Sequence, residues 1–245
     1  MVKIPAKDIP HSLKGNLINP NRPAPARHLV DIKKPVVLII FNRAETTRRV
    51  FEAIERYGPQ RLFIIADGSR PARAGEYEAC QLARDAVSSI LWECEVTRIY
   101  SDVNMGCRLR IQSGLDEVFK QVESAIILED DCLPDDSFFD FASQMLDEFQ
   151  DEPRVGMVSG NNFQLQFRRH TSNYYFSSLP HIWGWATWSS RWAMYERNAE
   201  TWNSSNKSKL LKKVFLYRVY RKAWMQTLNS ISSIDTWDYQ WAYTM

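Results

Sequence analysis

Three short stretches of this chain are apolar at every position, while the segments between them gather their apolar residues on one side. Val36 to Phe41 (VVLIIF), Leu62 to Ala66 within RLFIIAD, and Ala125 to Leu128 (AIIL) are too short for helices. Unbroken runs of this kind predict strands covered on both faces, as in a parallel sheet. Between the first two, residues Thr46 to Tyr57 place Val50, Phe51 and Ile54 on one helical face, and Gly58 follows as a stop. Strand, helix and strand make a βαβ unit.

Further helices are expected around residues 74–91, 108–122 and 137–149, with further strands ending in RIYSD and over VGMVSG. This alternation predicts an α/β domain, a mainly parallel sheet flanked by helices and joined by right-handed crossovers. Sheets of this type bind ligands beyond the carboxyl ends of their strands. Asn42, Asp67, Ser101, Asp102 and the run Glu129-Asp130-Asp131 each follow a strand, so they should collect on that edge.

Residues 1–34 are rich in Pro, Asn and Lys without a period and read as an N-terminal arm or linker, with the domain spanning 35–245. Beyond residue 160 the chain turns aromatic (NYYFSSLPHIWGWATWSSRW), then basic and helical (KSKLLKKVFLYRVYRKAW), and closes on SSIDTWDYQWAYTM. This half is expected to form a substrate-facing layer on the sheet.

Composition narrows the partners. The 245 residues are 44% hydrophobic, enough for a substantial core, and 31 Lys and Arg against 29 Asp and Glu leave a net charge of +2. That balance does not suggest a nucleic-acid binder. No apolar run approaches the roughly 20 residues of a membrane span, and the N-terminus lacks a secretory signal pattern. Cys80, Cys94, Cys107 and Cys132 form no CxxC pair and read as reduced thiols of a cytoplasmic protein. The basic stretch permits peripheral membrane contact, although a solvated helix is the commoner meaning of such a pattern. Oligomeric state is not legible.

The acidic triplet poses the chemical question. Two carboxylates about 4 Å apart repel by roughly 1 kcal/mol in water and about 4 kcal/mol at an effective dielectric near 20. A cation should offset this. One solution is an Arg or Lys partner, with Asp135, Asp136 or Ser137 capping the next helix. The other is a divalent ion shared between a carboxylate and substrate phosphates. The chain has neither GxxxxGK[ST] nor GxGxxG, which argues against a P-loop or an ordinary dinucleotide fold.

Taken together and in order, VVLIIFNRAETTRRVFEAI, LFIIADGSR, NMGCRLRIQSGLDEVF, AIILEDDCLPDDSFFDF, HIWGWATW and WDYQW resemble the GT-A (Rossmann-like) nucleotide-diphospho-sugar glycosyltransferases. The likeness covers residues 35–245 and is strongest to bacterial relatives of the inverting N-acetylglucosaminyltransferase that starts complex N-glycans. The resemblance implies that Asp131 is the direct ligand of Mn2+ or Mg2+, with Glu129 and Asp130 facing the donor's sugar and ribose. It implies nucleotide contacts from Phe41, Asn42, Arg43 and Asp67. Asp67 in ADGS reads equally well as a turn residue.

Arg108 and Arg110 follow NMG at a helix start, where phosphate is favoured; two residues apart, they cannot both face the same way. Gly184 and Trp185 match the family's Gly-Trp loop and are expected to wall the donor sugar and acceptor, ahead of Trp183 and Trp188 and against a purely core role. His181 reads as structural. Asp238 in WDYQW matches the family's general base, with Asp235 as its nearest competitor. Relatives continue for several tens of residues, so a C-terminal tail is expected to be missing.

The implied activity is metal-dependent, inverting transfer of a sugar from a nucleotide diphosphate, UDP foremost, to a glycan or other acceptor hydroxyl in surface-polysaccharide synthesis. A non-catalytic nucleotide- or glycan-binding module and a metal-dependent nucleotidyltransferase are the competing classes.

Overall fold

The computed structural model describes residues 33–163, 174–198, 201–202 and 205–245. Of the expected N-terminal arm, only Lys33 and Lys34 fall among the described residues. The two lysines hold the following strand in place: Lys33 Nζ donates to the Tyr57 carbonyl (2.5 Å) and the Lys34 N–H to the Tyr57 hydroxyl (2.8 Å).

The chain forms β1 (Val36–Ile40), α1 (Ala44–Tyr57), β2 (Arg61–Ala66), α2 (Glu76–Asp85), β3 (Glu95–Tyr100), α3 (Cys107–Phe119), β4 (Ser124–Glu129) and α4 (Asp136–Glu148). It continues through β5 (Val158–Ser159), β6 (Trp185–Trp188), α5 (Ser189–Trp192), α6 (Lys207–Val214), α7 (Arg218–Asn229), a 3-10 turn (Ile231–Ser233) and α8 (Asp238–Thr244). The strands make one six-stranded sheet in the order β3-β2-β1-β4-β6-β5. Strands β1 to β4 pair in parallel, whereas β6 runs antiparallel to both β4 and β5.

Strand periodicity explains the two cores. Val36, Leu38 and Ile40 point to one face, with Leu62, Ile64, Ile126 and Leu128, and meet helices α1 and α4. Val37 and Ile39 point to the other, with Phe63, Ile65, Ala125 and Ile127, and meet α3 and the aromatic C-terminal region. Every β1 residue is buried, as an apolar run without alternation requires. Burying one such Val or Ile contributes roughly 1.5–3 kcal/mol. Gly58 closes α1 as expected, in a left-handed conformation (φ 60°), its N–H donating to the Ile54 carbonyl at 2.8 Å. Gly114 lets α3 lie close on β2: a Cβ there would stand 2.6 Å from Ile65 Cδ1.

Three expectations need correction. The helix expected over 74–91 covers only Glu76–Asp85. HIWGWATW contains a strand, β6, which its four consecutive buried residues WATW disguise by lacking alternation. The aromatic half is in good part core: Trp185, Trp192, Tyr195, Trp237 and Trp241 pack together on the second face of the sheet, while Trp183 is exposed. Trp185 stacks on Trp237 at 5.3 Å and meets Trp241 at 5.6 Å. No helix among the described residues is long and apolar enough to cross a membrane.

Candidate active site at the carboxyl ends of the strands

Parallel pairing carries the residues after β1, β2 and β4 to one edge, and the acidic triplet sits at its centre. Its three carboxylates have different surroundings. Asp130, whose side chain is only 3% exposed, accepts from the Phe41 N–H (3.2 Å) and pairs with Arg43 (2.7 Å). It ties the end of β1 to the end of β4. Burial pushes its pKa up, while Arg43 and the Phe41 N–H pull it down.

Asp131 is 46% exposed and meets the other arm of the Arg43 guanidinium at 2.7 Å. Arg43 is therefore the cation that the crowded triplet requires, one fork spanning two carboxylates. This is the arginine partner weighed against a metal ion. It binds Asp131 through Oδ2; Oδ1 meets the Cys132 thiol, a weak donor, at 3.6 Å.

Glu129 is the anomaly. Its Oε1 is buried and has no hydrogen-bond partner. Burial first, then the charges of Asp131 and Asp130, push its carboxyl up to about 7; Arg43 eases this and Asp238 adds to it. The site thus carries more negative charge than its arginines balance. A folded-state pKa above the unfolded value means that the folded protein holds this proton more tightly, so stability falls as pH rises from about 4.5 to about 7. In metal-free protein, Glu129→Gln is expected to be the more stable form at pH 8, by up to about 3 kcal/mol, with the advantage gone near pH 4.5. Urea unfolding at both pH values checks this. An advantage that does not grow with pH contradicts it.

Asp67, the expected base contact, is placed otherwise. Its Oδ1 accepts from the N–H groups of Gly68 (3.0 Å) and Met105 (2.9 Å), and its Oδ2 from the Gly106 N–H (3.0 Å) and the Asn104 amide (3.1 Å). A carboxylate has about four lone-pair sites, and these are filled. Asp67 anchors the NMG loop to β2, the structural reading of ADGS. Gly68 permits the approach, since a Cβ there would lie 2.5 Å from the Val103 carbonyl carbon.

Asn42 and Phe41 belong to a cluster that the sequence did not reveal. The Asn42 amide donates to Glu76 (3.3 Å), Glu76 pairs with Arg70, and the Arg70 guanidinium lies over the Phe41 ring at 5.5 Å. The Arg70 bonds hold Glu76 down at about 2. A flat cation over an aromatic ring beside an amide is a surface that a heterocycle can join. The signal was faint: Arg70 and Glu76 sit on either side of a turn with no motif.

The two helix-start arginines separate as their spacing requires. Arg110 is buried, and the only acceptor within reach of its Nη1 among the described contacts is the Met105 sulfur at 3.7 Å. Burial pushes its pKa down and Asp67 opposes this. Arg108 is half-buried and nearer solvent. Its N–H donates to Asp235 (3.2 Å), which reaches over Gly106 and caps α3 from the far end of the chain. The competitor for the base is thus engaged as a cap.

Asp238 opens α8 and accepts from the Thr236 hydroxyl. Cys107 reports how the carboxylates surround the start of α3. Although the residue is open to solvent, the packing around its sulfur and then the charges of Glu129, Asp235, Asp238 and Asp67 push the thiol up to about 11.

A cavity of about 600 Å3 opens beside Asp131, lined by Cys132, Phe138, Phe141, Asn161, Trp183 and Gly184 among others. Gly184 (φ 72°) turns the chain into β6, and its carbonyl accepts from the Gly160 N–H at 2.8 Å. The expected wall residue Trp185 is 0% exposed and faces the aromatic core, so that expectation is corrected. The indole at the cavity is Trp183, 59% exposed. Trp188 is also buried, its indole N–H donating to the Leu146 carbonyl. The His181 ring lies 4.6 Å from that of Phe163. Asp135 caps α4 by accepting from the Ser137 N–H at 3.0 Å.

Among the described residues, no three His, Cys, Asp or Glu side chains form a ready metal cage. A hard divalent ion held by one carboxylate and substrate phosphates does not require one. Asp131, with one oxygen outside the Arg43 pair, and the partnerless oxygen of Glu129 fit such an ion. No protein-family model matches the chain, and no curated protein matches it.

Proposed function

We propose that this chain is a metal-assisted, inverting glycosyltransferase of the GT-A type, taking a sugar from a nucleotide diphosphate, UDP foremost, to an acceptor hydroxyl in glycan or surface-polysaccharide synthesis. The observation that carries this reading is the acidic end of β4: Asp131 borders the cavity with one oxygen outside the Arg43 pair, and the buried Oε1 of Glu129 has no hydrogen-bond partner. Asp238, at the start of α8, adds its charge to those acting on Glu129. The sequence resemblance supports the same roles.

Asp131, with Glu129 behind it, would hold Mn2+ or Mg2+; when bound, the ion offsets charge on the diphosphate leaving group. Phe41, Asn42 and Arg70 offer the surface for the base, and Arg108 at the start of α3 the cation for phosphate. Trp183 and Gly184 wall the cavity in which the sugar and acceptor would meet, an indole face suiting the apolar face of a sugar ring. Asp238 takes the proton of the acceptor hydroxyl as that oxygen bonds to the anomeric carbon. The bond from that carbon to the diphosphate oxygen breaks with inversion, and nucleoside diphosphate leaves.

A second reading has a specific observation behind it. Arg43 already pairs with both Asp130 and Asp131, and Asp67 is filled by its own loop, as in a module that binds nucleotide or glycan without turnover. Products separate the classes. Incubation with nucleotide sugars, Mn2+ and glycan acceptors is expected to release nucleoside diphosphate. Pyrophosphate would identify a nucleotidyltransferase, and neither product a binding module.

A further inference from the structure

Residues 201–234 contain no Asp or Glu and seven Lys or Arg: Lys207, Lys209, Lys212, Lys213, Arg218, Arg221 and Lys222. Because the whole chain carries +2, everything outside this segment sums to −5. The pair α6 and α7 therefore carries seven of the chain's 31 Lys and Arg with no carboxylate among them.

Helices α6 and α7 break at Phe215–Tyr217, giving a tip whose apolar side chains point out. Leu216 is 61% and Val219 69% exposed, and Val214, Tyr217 and Tyr220 are exposed with them. These residues are not spare core. Leu211, Leu228, Ile231 and Trp202 form the packed base beneath, and Phe215 stacks on Trp224 at 5.7 Å. Arg221 donates to the Leu216 carbonyl at 2.9 Å, holding the turn closed. The base fixes the tip and leaves its aliphatic and tyrosine side chains to solvent, with Lys212, Lys213, Arg218 and Lys222 exposed beside them along the chain.

We propose that this tip docks on membrane surfaces containing anionic lipid. Aliphatic and aromatic residues enter the headgroup boundary while the neighbouring cations meet lipid phosphates. The rest of the domain, residues 35–200 and 235–245, sums to −10 and is repelled, which orients the contact. Nucleic acid would account for the cations but offers no partner to Leu216, Val219 and Val214, because its phosphate backbone binds by charge. The inference is independent of the transferase reading.

Co-sedimentation of the full chain with vesicles tests it. Binding is expected to vesicles of phosphatidylcholine containing phosphatidylglycerol, and only weakly to phosphatidylcholine alone, with loss as salt rises. Replacing Lys212, Lys213 and Arg218 together by Ala should weaken binding on the order of 100-fold. Leu216→Asp, which keeps every cation, should weaken it at least about tenfold. Both variants change exposed residues, and unchanged circular dichroism establishes that they fold. Absence of binding to the anionic vesicles overturns the proposal, as does full binding by Leu216→Asp. Tighter binding to single-stranded RNA than to vesicles at equal salt also overturns it, in favour of a nucleic-acid surface.

Discussion

Asp67→Ala is expected to lower the free energy of unfolding by about 3–5 kcal/mol. The carboxylate is 7% exposed and holds the loop before α3 through the N–H groups of Met105 and Gly106 and the Asn104 amide. Hydrogen bonds to a charged group contribute about 1.5–3 kcal/mol each, and donors left unpaired in a half-buried loop cost further. Alanine also removes the negative charge that opposes the effect of burial on the Arg110 guanidinium. At this chain length the loss corresponds to a fall in melting temperature on the order of 10 °C. Thermal and urea unfolding measure it. A loss below about 1 kcal/mol would mean that Asp67 is not the anchor of this loop.

Asp238→Asn is expected to slow sugar transfer by roughly 10²- to 10⁴-fold and to leave nucleoside diphosphate affinity unchanged. The side chain sits on a rigid element: Trp237 and Trp241, on either side in sequence, are buried against Trp185 and Trp192. The Thr236 hydroxyl orients the carboxylate. Asparagine keeps the shape and can still accept that hydroxyl, but it cannot take a proton. The rate of nucleoside diphosphate release reads the effect. If Asp235→Asn loses as much rate while Asp238→Asn loses little, the role moves to Asp235, and the cap on α3 becomes incidental.

The sheet was legible because its central strands are buried on both faces and contain nothing but apolar residues over four to six positions. The glycine stop of α1 and the collection of Asn42, Asp67 and the acidic triplet on one edge follow from the same pattern. Strand β6 was not legible. WATW has neither alternation nor an aliphatic run, and its indoles look like a binding wall until tertiary packing shows which are enclosed. Trp183 and Trp185 are two residues apart and meet opposite fates, because Gly184 turns the chain between them.

Asp67 and Arg43 were legible in place but not in partnership. No spacing rule foretells that residues 37 positions apart share a carboxylate, or that one guanidinium bridges 88 positions to Asp131. The Phe41–Arg70–Glu76–Asn42 cluster was missed for the same reason.

The most direct test of the central claim is calorimetric titration of UDP into the protein with and without Mn2+, alongside Asp131→Ala. The account predicts binding that requires the ion and is lost, or weakened at least about tenfold, in the variant. Metal-independent binding, or binding that Asp131→Ala retains in full, would contradict it and leave the acidic strand end with only the structural role that Arg43 already gives it.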